Sequence, residues 1–219
     1  MKLDPLRFYF DYISHNAYIA WTQVHALAER HGRTVEPVPV LFAGLLNATG
    51  QLGPAEVPAK TRWMIRDLLR KAAELDVPFE PPASHPFRPL LPLRVSSLPM
   101  PDRERRGLVD ALFRATWAES VDVSDPAAVA RVADSAGLDG AALVSAAANP
   151  EAKQRLRRQT DDAIAAGVFG VPTLIVDGEL FFGYDDHAWV EKFLRGVDPL
   201  DREAAAAFAR VRATASRRR

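Results

Sequence analysis

The chain has 219 residues, 48% of them apolar, which suits one buried-core domain or one domain carrying a large insertion. Lysine plus arginine and aspartate plus glutamate balance at 28 each, so no broad basic field is present to attract nucleic acid or anionic lipid. With no cysteine, the chain cannot perform dithiol–disulfide exchange with groups of its own. The N-terminus, MKLDPLRFYF, lacks the apolar run of a signal peptide, and no stretch approaches the roughly 20 apolar residues of a membrane span. A cytoplasmic protein without nucleic-acid or membrane partners is expected.

Arg7 to Ile13 is rich in aromatic and β-branched residues and predicts a buried strand. From Ala17 the period changes. Ala17, Ala20, Trp21, Val24, Leu27 and Ala28 fall on one helix face, and His31-Gly32 ends the helix. Thr34 to Leu41 predicts a second strand, placed at a sheet edge by Pro37 and Pro39, which cannot donate to a ladder. Residues 42 to 166 hold no convincing strand. Ile65, Leu68, Leu69, Ala72 and Leu75 make one helical stripe, and Val109, Leu112, Phe113, Thr116 and Trp117 another. The Pro-rich run VPFEPPASHPFRPLLPLR reads as the connection between these two helices. Further helices start at Asp125-Pro126, near Asp139, and at Asn149-Pro150, the last running to Ala166.

Strand signals return at Thr173 to Val176, followed by the turn Asp177-Gly178 and a second run from Glu179 to Phe182, a β-hairpin pattern. A helix from about Asp186 to Arg195 follows, and the Ala-rich tail ends basic, as a solvated helix that frays. The order βαβ, helical insertion, αββα is the plan of a thioredoxin-like α/β fold. Its predicted parts are residues 1–41 and 160–200 for the thioredoxin-like unit, 42–159 for an all-helical insertion lying over the functional edge, and 201–219 for the tail.

Two places can carry chemistry. In FYFDYISHNAY, Ser14 stands at a strand-to-helix turn, where it either replaces a thiol or caps the helix. Asn16 is a competing cap, and His15 reads as solvent-facing. In GVFGVPTLIV, Val171-Pro172 stands just before a strand, where a cis proline would leave the Val171 backbone free to pair with an extended, peptide-like ligand. An ordinary trans proline at a strand start is the other reading. The five histidines show no metal-ligand spacing, and neither a phosphate loop nor a Ser-His-Asp pattern occurs.

FYFDYIS, PVPVLFAGLLNATG, PAKTRW, SHPFRPLLPLR and GVFGVPTLIVDGELFFGYDD, in this order, resemble the 2-hydroxychromene-2-carboxylate isomerases, relatives of kappa-class glutathione transferases in the DsbA-like branch of the thioredoxin superfamily. The likeness spans roughly residues 7 to 195. It implies glutathione as cofactor, a small aromatic substrate and a homodimer. It also implies that Ser14 takes the place of a nucleophilic cysteine and holds the glutathione thiol, while Val171 and Pro172 orient the tripeptide. Asp185 would take the γ-glutamyl amino group, with Gly183 and Tyr184 beside it. Lys60 would pair with a glutathione carboxylate, and Asn47 and Gln51 would offer weaker polar contacts. Arg88 stands where relatives often have asparagine and is a candidate to meet the substrate carboxylate. Asp185 or Asp186 serves equally as a helix N-cap, and His15-Asn16 stands where the family often has proline and an aromatic residue. The implied activity is cis–trans isomerisation by reversible thiolate addition. Its alternatives are a kappa-like transferase or peroxidase that consumes glutathione, and a non-catalytic peptide-binding module.

Overall fold

The computed structural model describes residues 3–215, so Met1, Lys2 and the arginine-rich end of the tail lie outside the described residues. Strand β1 (Leu6–Phe10) is buried on both faces. Leu6, Phe8 and Phe10 enter one core, and Tyr9 enters a second core on the opposite side. Strand β2 (Val35–Pro39) runs parallel to β1, with Phe8 opposite Pro37 and Phe10 opposite Pro39. It lies at the sheet edge, as its prolines require.

Strand β3 (Thr173–Val176) pairs antiparallel with the other side of β1, and β4 (Glu179–Phe182) completes the order β2-β1-β3-β4. The hairpin turn places Asp177 and Gly178 at φ 49° and 87°, the left-handed region that this residue pair adopts readily. Arg33, itself buried, clasps that turn with guanidinium contacts of 2.6 and 3.1 Å to Asp177, which hold the Asp177 carboxyl below the usual carboxylate range.

Helix α1 (His15–Arg30) covers one face of the sheet. The middle of the chain holds helices and no strand: α2 (Phe42–Thr49), a 3-10 turn (Pro54–Glu56), α3 (Pro58–Glu74), α4 (Leu90–Ser97), α5 (Asp102–Trp117), α6 (Pro126–Ser135), α7 (Gly140–Ala147) and α8 (Pro150–Ala165). α9 (His187–Leu194) follows the hairpin, and α10 (Arg202–Ala209) buries none of its residues. The stripe Val109, Leu112, Phe113, Thr116 and Trp117 is buried as its period predicts. Phe113 packs with its ring tilted against Phe10 and Tyr12 at 5.4 and 4.8 Å, so α5 and β1 share one core. Each such ring removed from water contributes about 2–3 kcal/mol. α6 and α7 approach so closely that a Cβ on Gly140 would lie 2.0 Å from the Ala130 carbonyl oxygen.

Several expectations need correcting. β1 stops at Phe10, because Asp11 turns the chain by accepting the Ile13 N–H at 3.1 Å. α1 starts at His15, and Ser14 rather than Asn16 is its cap. The Pro-rich segment does not stay irregular to its end, since Leu90 to Ser97 forms α4. On α3 only Leu68 and Ala72 are fully buried, while Ile65 and Leu69 keep about half of their surface exposed (49% and 50%). His15 does not face solvent. It is 8% exposed, packed edge-on against Trp117.

Candidate active site

Five segments meet around a cavity of about 460 Å³: the turn into α1, the β2–α2 loop with the start of α2, the stretch 51–64, the stretch 85–89 and the chain before β3. Its walls are mostly apolar, with Asp11, Ser14, His15, Asn16, Gln51, Glu56, Lys60 and His85 as dispersed polar groups, the usual make-up of a small-molecule site.

The turn into α1 forms because three interactions agree. The Asp11 carbonyl accepts the Ser14 N–H at 3.0 Å, the Asp11 carboxylate accepts the Ile13 N–H, and the Ser14 hydroxyl accepts the Ala17 N–H at 3.1 Å. The same hydroxyl donates to the Val171 carbonyl at 3.4 Å, a long contact that joins residues 157 positions apart. Val171-Pro172 is cis, as is His85-Pro86. The first turn of α1 itself carries no acidic residue. The N–H groups of His15, Asn16 and Val171 have no hydrogen-bond partner among the described residues. Nor have His15 Nδ1 and Asn16 Oδ1, both shut off from solvent. This set of idle donors around a serine hydroxyl suits an anionic sulfur carried on a peptide backbone.

Asp11 is fully buried on the wall of the cavity and had no place among the sequence candidates. Its second oxygen accepts the Phe42 N–H at 2.9 Å, so one carboxylate fastens the α1 turn to the start of α2. Burial pushes this carboxyl up to about 7, against the two N–H bonds that favour its charged form. A charged residue amid the aromatics of FYFDY was the signal available in the sequence. On the far wall Phe169 and Phe182 pack at 4.7 Å, and a Cβ on Gly170 would lie 2.7 Å from the Phe182 ring.

Of the sequence candidates, Ser14, Lys60 and Val171 line the cavity together with Gln51. Pro172 follows directly, its carbonyl accepting the Gly183 N–H at 2.8 Å. Tyr184 and Asp185 continue from there, away from the cavity lining. Asp185 is paired with Lys71 of α3 at 2.8 Å, and Lys71 also holds Asp67 at 2.8 Å. Asp186 accepts the Phe182 N–H at 2.8 Å. Asn47 and Arg88 are exposed and outside the lining. Among the described residues no group of three or more His, Cys, Asp or Glu could hold a metal ion, and no helix is long and apolar enough to cross a membrane.

The family of the DSBA-like thioredoxin domain matches residues 5–195. The chain belongs to that family. Within the DSBA-like family it groups with the 2-hydroxychromene-2-carboxylate isomerases. It is 31% identical to that isomerase of Sphingobium xenophagum, over 85% of this chain and 96% of the relative. A glutathione S-transferase kappa 2 of Caenorhabditis elegans is 29% identical, over 86% and 91%. A solved 2-hydroxychromene-2-carboxylate isomerase superposes with a TM-score of 0.81 at 25% identity, covering 92% of this chain and 98% of that one. The DSBA-like fold therefore stands here with a serine, and no thiol, at the start of α1.

The buried groups of this DSBA-like protein set its response to acid. Burial pushes the His15, His25 and His187 imidazoles down to about 4. The unfolded chain protonates them near 6.5, so their contribution to stability is lost as pH falls from 6.5 toward 4. Asp11 acts oppositely, since its raised value makes its contribution present below about 4 and lost as pH rises through about 7. Three groups oppose one. Urea unfolding is expected to show stability falling by about 1–2 kcal/mol per pH unit between 6.5 and 4.5, His25 counting for less because it is partly exposed. A flat or rising profile on acidification contradicts this.

Proposed function

We propose that this protein is a glutathione-dependent cis–trans isomerase of aromatic 2-oxo acids of the 2-hydroxychromene-2-carboxylate type. The observation that carries the reading is the Ser14 hydroxyl at the N-terminus of α1, beside the Val171 carbonyl and open to an apolar cavity. The names of the relatives support it from outside, several being such isomerases and others kappa-class glutathione transferases. Glutathione, when bound, supplies a thiolate that adds reversibly to the conjugated alkene, allows rotation about the former double bond, and leaves unchanged.

The chain's own residues do the rest. Ser14 offers its O–H to the sulfur, and the idle N–H groups of His15 and Asn16 add positive potential, so the thiol loses its proton more readily. A free thiol near pKa 8.5 is only a few per cent ionised at neutral pH, and lowering it by about two units, roughly 2.7 kcal/mol, makes thiolate the main form. The idle Val171 N–H would hold a cysteinyl carbonyl, as in β-strand addition. Lys60, on the lining of the same cavity, would meet a ligand carboxylate. The apolar walls around Phe87, Phe169 and Phe182 take the aromatic ring and exclude water. A cytoplasmic homodimer is part of the reading.

The test is turnover of o-hydroxybenzylidenepyruvate with and without glutathione, with free thiol assayed before and after. The expected result is glutathione-dependent isomerisation with all thiol recovered. Full activity without glutathione overturns the mechanism, and stoichiometric loss of thiol replaces it with a transferase.

A further inference from the structure

His15 occupies a position that invites a second reading of the cavity. His15 keeps only 8% of its surface exposed, and it lines the cavity immediately beside Ser14. It is clamped in place: edge-on to Trp117 at 5.8 Å and beside His85 at 6.5 Å. Both clamps are themselves held, Trp117 by donating its indole N–H to the Tyr12 carbonyl at 2.8 Å, His85 through Nε2 against the Ile13 carbonyl at 3.1 Å. Neither ring nitrogen of His15 has a hydrogen-bond partner among the described residues. Nδ1 is sealed from solvent, so Nε2 is the nitrogen left to meet a ligand in the cavity that His15 lines. In the neutral tautomer with its proton on Nε2, the ring offers a donor that no described residue accepts.

We propose that His15 donates a hydrogen bond from its imidazole to the 2-oxo carbonyl of the bound substrate and thereby polarises the conjugated alkene toward addition. The proposal rests on the reading above and names one contact within it. A carbonyl oxygen is the complement of a single neutral donor, and Phe87, which lines the cavity beside His85, belongs to the apolar wall that takes the ring of the same molecule. Drawing electron density to that oxygen leaves the remote alkene carbon more electrophilic, without any proton changing hands. The low basicity of the ring, pushed down to about 4 by burial, fits a donor and not a proton acceptor at neutral pH.

The test uses 4-phenyl-2-oxobutanoate, a saturated 2-oxo acid that cannot undergo the addition, labelled with carbon-13 at the carbonyl. Infrared difference spectra without glutathione are expected to show a lower carbonyl frequency on the wild-type protein than on the His15→Phe protein, and the lowering is expected to return in His15→Gln, which keeps an N–H donor. In turnover, His15→Phe is expected to lose about tenfold in kcat, the equivalent of one hydrogen bond of about 1.4 kcal/mol. An identical carbonyl frequency in wild-type and His15→Phe proteins overturns the proposal. A shifted carbonyl in a protein that shows no glutathione-dependent turnover supports the contact and overturns the isomerase reading instead.

Discussion

Ser14→Ala is expected to slow glutathione-dependent turnover about ten- to thirtyfold at pH 7 and to recover most of the difference by pH 9.5. The hydroxyl donates a hydrogen bond to a charged sulfur, an interaction of about 1.5–3 kcal/mol, or one to two pKa units. Without it the thiol returns toward its ordinary value near 8.5, and the thiolate fraction at pH 7 falls from about three-quarters to a few per cent. Above pH 9 both proteins hold thiolate, and the more basic thiolate of the variant is the stronger nucleophile, so the gap closes or reverses. Stability changes little by comparison. The Ala17 N–H loses its cap, which costs about 1 kcal/mol and lowers Tm by about 2–4 °C. A variant equally slow at every pH would mean that Ser14 orients the ligand and does not ionise it.

The second large effect falls on stability. Asp11→Ala strips a buried acceptor from two backbone donors, Ile13 and Phe42, at 3.1 and 2.9 Å. Each orphaned donor costs about 1–3 kcal/mol, partly offset by removing a carboxyl that burial already makes reluctant to ionise. The net loss is expected to be about 3 kcal/mol, a fall in Tm of about 6–12 °C for a chain of this size. Because these two donors belong to adjoining segments of the cavity wall, glutathione binding should weaken as well. Asp11→Asn, which keeps one acceptor, should fall between the two. Urea unfolding and calorimetric titration check both. An alanine variant as stable as the wild type would show that the carboxylate holds neither wall.

How much of this was readable in advance divides by range along the chain. The Asp177-Gly178 hairpin, the edge position of β2, the stripe on α5 and the capped start of α6 all came from signals within a few residues, and the structure bears them out. The alternation of Phe8, Tyr9 and Phe10 between two cores is likewise local geometry. His15 was misjudged because its neighbours in sequence are polar, whereas the ring that buries it, Trp117, arrives from α5. Asp11 passed unremarked because its meaning depends on Phe42, a donor supplied by another element. Likewise, Asp185 finds Lys71 only because α3 folds back over the β4–α9 loop.

The amino-acid sequence by itself determined the element order, the absence of any thiol in the chain, and the placing of a hydroxyl at a helix start and a proline before β3. Turn chemistry, capping and periodicity are properties of short segments, so they survive without knowledge of the rest. Only the tertiary structure decided that Ser14 and Val171 meet, that Asp11 ties two walls of one cavity, and that His15 is buried with an idle nitrogen. Burial and hydrogen-bond satisfaction depend on partners tens of residues away, and no local pattern encodes which of them will arrive.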